Sequence, residues 1–92
     1  MRDASFEWDD RKAASNVRKH GIAFELARLV FDDVNVVEEL DDTVEEERFS
    51  LIGMAMGRLL VVVYTHRSPR NRIISARKAN IHEQRRYFAA FR

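Results

Sequence analysis

Leu59-Leu60-Val61-Val62-Val63-Tyr64 is the longest apolar run in the chain, and with Thr65 after it the segment is rich in β-branched side chains. Such side chains are stiff at χ1 and favour strands. A short run without alternation fits a strand covered on much of both faces, so 59–65 is predicted to be the central strand of a sheet. The run is far short of the ~20 apolar residues that a membrane helix needs. Turn signals bracket it. Ala55-Met56-Gly57-Arg58 holds the glycine of a tight hairpin connection, and Ser68-Pro69-Arg70-Asn71 holds the only proline. Residues 49–54 and 72–78 therefore read as its neighbours in a meander. Strict alternation in 72–78 puts Ile73 and Ile74 on opposite faces, and Arg72 and Arg77 likewise.

The N-terminal half reads differently. Phe6-Glu7-Trp8 alternates as a short edge strand. Asp9 or Asp10 then offers an N-cap for a helix over 10–19, with Ala13, Ala14 and Val17 as its apolar stripe. Gly21 stands in the expected post-helix position. A second helix is expected over 23–31, with Phe24, Ala27 and Phe31 at i, i+3 and i+7 and Val30 beside them. Asp32-Asp33 ends it. A strand over 35–40 and an acidic loop over 41–47 follow. After the meander, Asn80 caps a final helix that carries Ile81, Gln84, Arg85, Phe88 and Phe91 on one face. The order is β-α-α-β-β-β-β-α: a single α+β domain over 1–92, with an antiparallel sheet, two N-terminal helices and one C-terminal helix.

Charge divides the same two halves. Residues 48–92 carry ten basic side chains (nine Arg and Lys78) against one acid, Glu83; residues 1–47 carry fourteen acids against six basic residues. The halves hold about +9 and −8, and the formal net charge of +1 conceals the asymmetry. Arginine in this excess suits planar, bidentate recognition of phosphate. With no cysteine there is no disulfide framework and no thiolate metal site, which fits a reducing cytoplasm. Met1-Arg2-Asp3-Ala4-Ser5 starts no hydrophobic signal region.

The chemistry-bearing residues are densest from Tyr64 to Lys78, with Glu83 after them. Arg67 and Arg77 are the leading ligands for a scissile phosphate, where their forks would stabilise charge on its oxygens. Arg70, Arg72 and Lys78 are candidates for flanking phosphates. The alternative is that these arginines only solvate an open sheet face. Glu83 reads either as a general base or as a buttress for an arginine. It also stands three residues after Asn80, as a capping box requires. His66, beside Arg67 at a strand end, is the best-placed imidazole; His82 is expected to face solvent. His20, after Lys19, suits a helix C-terminus. No histidines have metal-ligand spacing, and neither a metal nor another cofactor is expected. Trp8, Phe24, Phe31, Phe49, Phe88 and Phe91 read as core, and Tyr64 and Tyr87 as packing groups. There is no glycine-rich phosphate loop, nucleophile elbow or helix-turn-helix.

Several segments in order resemble one family. They are Phe6-Glu7-Trp8-Asp9, Asn16-Val17-Arg18-Lys19-His20-Gly21-Ile22, Phe24-Glu25, Val30-Phe31-Asp32-Asp33 and Glu47-Arg48-Phe49. Ile52-Gly53-Met54, 59–65 and Arg72-Ile73-Ile74-Ser75-Ala76-Arg77-Lys78-Ala79 follow, then Glu83. Together they resemble the BrnT toxins. The resemblance implies a ribonuclease toxin of a type II toxin–antitoxin system with a RelE-like fold. It implies a BrnA antitoxin with a ribbon-helix-helix domain that neutralises the toxin in a hetero-oligomer and supplies contact with operator DNA. It also implies Arg67, Arg72, Arg77, Lys78 and Glu83 as functional positions, with Lys19 and His20 as a second set. Ala23 stands where the family often has a capping Ser or Thr, and His66 where an acid is common.

The resulting expectation is a cytoplasmic, metal-independent endoribonuclease that inhibits translation and growth. The 2′-hydroxyl attacks the adjacent phosphorus, Arg67 and Arg77 neutralise the developing charge, and Glu83 or His66 takes the proton. The alternative is a non-catalytic nucleic-acid or antitoxin-binding module acting in operon autoregulation. A third reading is an interaction protein whose basic face docks an acidic partner.

Overall fold

The structure, a computed structural model, describes residues 1–41 and 47–90. Strand β1 (Phe6–Glu7) leads into α1 (Asp10–His20), then α2 (Phe24–Ala27), which continues as a 3-10 turn over Arg28–Asp32. Strands β2 (Val37–Asp41), β3 (Arg48–Ala55), β4 (Arg58–Arg67) and β5 (Arg70–Lys78) follow, and α3 (Ile81–Ala89) closes the chain. The expected element order holds. The acidic loop expected over 41–47 lies mostly outside the described residues, as does Phe91.

The five strands are ordered β1-β5-β4-β3-β2, with β4 central as its composition requires. The sheet is not wholly antiparallel: β1 runs parallel to β5, with Phe6 opposite Asn71 and Glu7 opposite Arg72. No hairpin links those two strands, so no turn imposes antiparallel pairing on them. Met56 and Gly57 form the β3–β4 turn, both at positive φ, as a two-residue hairpin of this twist demands.

The faces of the sheet bury two clusters. On one side Leu60, Val62, Tyr64, Leu51, Ile73 and Ala76 meet Trp8, Ile22, Phe24, Ala27 and Val30. On the other, Ile52 and Val61 meet Ala79 and Tyr87. Strand β5 departs from strict alternation. Val63 pairs with Ser75 and Tyr64 with Ile73, which leaves Ile74 as an extra, unpaired residue. This β-bulge lets Ile73 and Ala76, three residues apart, enter the same core. It also puts Arg72 and Arg77 on one face, where alternation alone puts them on opposite faces.

Asn16 holds the bulged strand in place. Its amide donates to Ala76 O (2.8 Å) and Ile22 O (2.8 Å), and its Oδ1 accepts from Ala76 N (3.1 Å). The side chain thereby replaces the missing neighbour strand along that part of β5. Asn16, 5% exposed, is the buried residue of α1, whereas Val17 is 47% exposed and Ala14 faces solvent. The inward stripe of α1 is thus Ala13 and Asn16, not the purely apolar one expected. Asp9 caps this helix by accepting from Arg11 N and Lys12 N, and Gly21 closes it in the left-handed conformation.

The second helix is shorter than the 23–31 expected. Ala23 offers no side-chain cap, and only one α-turn forms before the chain tightens to 3-10 geometry. That tightening seats Val30 directly over Gly53, where an added Cβ would lie 2.8 Å from Val30 Cγ1.

Helix α3 is rotated from its expected face. Glu83 and Tyr87 point inward, while Ile81 and Phe88 are about half exposed. Two polar bonds set the rotation. Tyr87 Oη donates to Asp33 Oδ2 (2.6 Å), an oxygen that also accepts from Met54 N (2.8 Å), and Glu83 is held by Arg77. Polar contacts outweigh the apolar stripe here because the carboxylates are already fixed by other partners.

Replacing Asn16 by Leu strips three buried bonds at similar volume. The variant should lose about 2–4 kcal/mol in urea unfolding. Asn16→Asp keeps the acceptor for Ala76 N but loses both donors, and should also be clearly destabilised.

Candidate functional site

The face of the sheet that α3 covers at one end carries two arginine–glutamate pairs. At the α3 end, Arg77 donates through Nη1 to Glu83 Oε1 (2.7 Å) and through Nη2 to Glu83 Oε2 (2.7 Å), a two-pronged fork on one carboxylate. Arg77 Nη1 also reaches Lys78 O (3.2 Å). Glu83 Oε1 accepts from Asn80 N (2.8 Å), while Asn80 Oδ1 accepts from Glu83 N (2.9 Å), which completes the capping box. Capping and buttressing therefore share one carboxylate. The Glu83 side chain is 10% exposed and the Arg77 side chain 41%, so the guanidinium is fixed on a shielded carboxylate while the side chain as a whole stays partly open to solvent.

Electrostatics follow from that geometry. The Arg77 fork, with help from Asn80 N–H and the Arg86 charge, holds the Glu83 carboxyl below its ordinary range against the opposing effect of burial. Arg77 is pushed further up by the same pairing. A carboxylate with both oxygens engaged and its pKa lowered is a weak proton acceptor. The geometry shows Glu83 bonded to Arg77 and to Asn80 N, in its charged form.

At the other end, Arg72 Nη1 donates to Glu7 Oε2 (2.6 Å). That bond, together with the Arg72, Arg2 and Arg67 charges, lowers the Glu7 carboxyl. Arg70 Nε donates to Asp3 O (2.6 Å). Arg2, Glu7, Arg67, Ser68 and Arg70 line an open, polar hollow of about 450 Å³.

The two ends are distinct places. Arg77 lies opposite Val61, Arg72 opposite Thr65 and Arg70 opposite Arg67. From Val61 to Arg67 is six strand positions, about 20 Å at the usual rise, and from Val61 to Thr65 about 13 Å. A joint grip of Arg67 and Arg77 on one phosphate would therefore need both side chains extended towards each other along the face. His66 lies on the opposite face from both pairs. Its Nδ1 sits 3.0 Å from Asn71 Oδ1, and its ring packs on Phe49 and Tyr64. A histidine one residue from Arg67 in a strand faces the other way, and this separates it from the arginines. Lys78 alternates away from Arg77 in the same manner. Lys19 and His20, with Lys12 and Ser15, line a separate groove against Ile74 and Ser75 at the β5 edge.

Glu7 and Asn16 were not among the candidates. Glu7 alternates outward between Phe6 and Trp8, a pattern visible in the sequence. Only the parallel β1–β5 pairing shows that it meets Arg72. Among the described residues, no three His, Asp or Glu side chains form a group able to hold a metal ion. Nor is any helix among them long and apolar enough to cross a membrane.

The fold and this face define a small α+β domain with two carboxylate-anchored arginines on one open surface. The model of a known family, the ribonuclease toxin BrnT of type II toxin–antitoxin systems, matches residues 8–83. The chain belongs to that family. Type II systems pair a toxin with an antitoxin, so an antitoxin partner and an RNA target come with the membership. No curated protein matches the chain.

Acid should expose the Glu83 pairing. Its carboxyl titrates below the ordinary 4.5 when folded, so the folded chain holds that proton less tightly than the unfolded chain. The stabilisation is complete above 4.5 and is lost as pH falls through the lowered folded value. Urea midpoints recorded from neutrality downward should therefore fall less steeply below 4.5 in Glu83→Gln than in the parent chain.

Proposed function

We propose that the chain is a metal-independent endoribonuclease that cleaves RNA by attack of a 2′-hydroxyl on the adjacent phosphorus. The observation that carries this reading is the Arg77–Glu83 fork on an open face of a chain that belongs to a ribonuclease toxin family. Arg77 meets the scissile phosphate with the outer edge of its guanidinium and stabilises the charge that builds on the oxygens in the transition state. Glu83 fixes the fork before the substrate arrives, which removes reorganisation from the chemical step. Arg67, Arg70 and Arg72 hold phosphates further along the strand. Lys78, Lys19 and His20 are left to contacts at the rim.

Proton transfer is assigned to water in this reading. Both Glu83 oxygens are engaged, by Arg77 and Asn80, and His66 lies on the far face. Electrostatic stabilisation and positioning then supply most of the acceleration. The attack forms the bond from the 2′-oxygen to phosphorus and breaks the bond from phosphorus to the 5′-oxygen. It leaves a 2′,3′-cyclic phosphate and a 5′-hydroxyl.

In this reading the fold is RelE-like, and cleavage of RNA in the cytoplasm inhibits translation and growth. A BrnA-like ribbon-helix-helix antitoxin neutralises the chain in a hetero-oligomer by covering the arginine face. Operator DNA is reached only through that antitoxin. The engagement of both Glu83 oxygens is the one observation that favours the second reading, a binding module without catalysis.

Arg77→Ala should lower kcat/KM for RNA cleavage by about 10²–10³-fold. Binding of a 2′-deoxy analogue, measured by anisotropy, should weaken far less. Arg77→Lys should not restore the rate, because a point charge lacks the planar fork. Equal losses in cleavage and binding would make Arg77 a binding group only.

A further inference from the structure

The Glu7–Arg72 pair repeats the device found at Glu83–Arg77. Both arginines project from β5 on the same face, because the Ile74 bulge restores their phase. Each donates to a carboxylate supplied by a neighbouring element, β1 in one case and α3 in the other. Both carboxylates are shielded, with side chains 16% and 10% exposed. The surroundings differ. Glu83 is enclosed by a helix cap, whereas Glu7 opens onto a hollow that Arg2, Arg67 and Arg70 also line. Four strand positions, about 13 Å, separate the two arginines.

We infer that the β1 end of this face is a second phosphate subsite of the RNA track, with Arg72, Arg67, Arg70 and Arg2 as its cationic wall and Glu7 as the positioning residue of Arg72. The subsite rests on the ribonuclease reading and extends it. It takes a backbone phosphate of the same strand, at a distance no single nucleotide spans from Arg77. Its ligand is therefore an oligonucleotide of several residues, not a dinucleotide. Glu7 does not touch RNA. Its charge holds Arg72 through one bond and offsets the mutual repulsion of the four arginines around the open hollow. Arg67 ends β4, Arg70 and Arg72 belong to β5, and Arg2 joins through its bridge to Glu7.

The subsite sets a length requirement that the Arg77 end alone does not. Anisotropy titrations with single-stranded 2′-deoxy oligomers of two and of six nucleotides give the ratio of their affinities for the parent chain, Arg72→Ala, Glu7→Gln and Arg77→Ala. The parent chain should prefer the hexamer by about tenfold or more, as expected for one added set of charge-assisted hydrogen bonds. In Arg72→Ala and Glu7→Gln that ratio should fall towards one. In Arg77→Ala it should persist while both affinities decline. The salt slope for the hexamer should drop by about 0.7 for each phosphate that Arg72→Ala no longer neutralises. Glu7→Gln is near-isosteric, and its melting temperature, read alongside, separates a local loss from unfolding. Equal affinities for the two lengths in the parent chain would overturn the subsite, as would an undiminished ratio in Arg72→Ala and Glu7→Gln. A parent chain that shows the length preference but never cleaves RNA would keep the subsite and remove the nuclease.

Discussion

The placement of the two paired arginines depends on how one strand edge is finished. Beyond the short pairing with β1, the outer edge of β5 has no strand beside it among the described residues. Its backbone groups there must be satisfied in some other way. Asn16 does this with a single side chain, donating to and accepting from the same residue, Ala76. Its third bond, to Ile22 O, ties the end of α1 to the segment that follows it. The neighbouring bulge at Ile74 shifts the phase of the strand by one residue. Two core residues and two arginines fall on their proper sides only because of that shift.

The arginine face shows how cations can be packed closely on a rigid sheet. Arg77 is bonded to its carboxylate through both Nη atoms and Arg72 through one, and both side chains remain partly exposed. Anchoring removes rotamer freedom in advance, so less entropy is lost when an anion binds. The same pairing removes the carboxylate from proton chemistry, since a group already bonded on both oxygens favours its charged form. Under the proposed mechanism, Glu83 would serve as support for charge stabilisation.

Much of the fold was legible in the sequence. The apolar run at 59–65, its two turns and the capping box at Asn80 and Glu83 gave the meander and the final helix within a few residues. Errors arose wherever a polar group replaced an apolar one at a packing position. Asn16 was hidden among the polar residues of α1, and Val17 took its place in the expected stripe. In α3 the stripe of Ile81 and Phe88 was real but faces outward, because Tyr87 and Glu83 find partners on Asp33 and Arg77. The bulge left no mark in residues 72–78, so alternation misplaced Arg72 relative to Arg77. Glu7 needed the β1–β5 pairing, which joins residues 65 positions apart, before it could be matched to Arg72. Local patterns carry local structure, whereas the site is made by a long-range register.

The central claim is that a pre-positioned arginine, with no metal ion, drives attack by the ribose hydroxyl. The most direct test is to incubate purified chain with a defined single-stranded RNA in excess EDTA and to identify the new termini by mass spectrometry. The account expects cleavage undiminished by the chelator, with 2′,3′-cyclic phosphate and 5′-hydroxyl ends. Cleavage abolished by the chelator, or products ending in 3′-hydroxyl and 5′-phosphate, would contradict it.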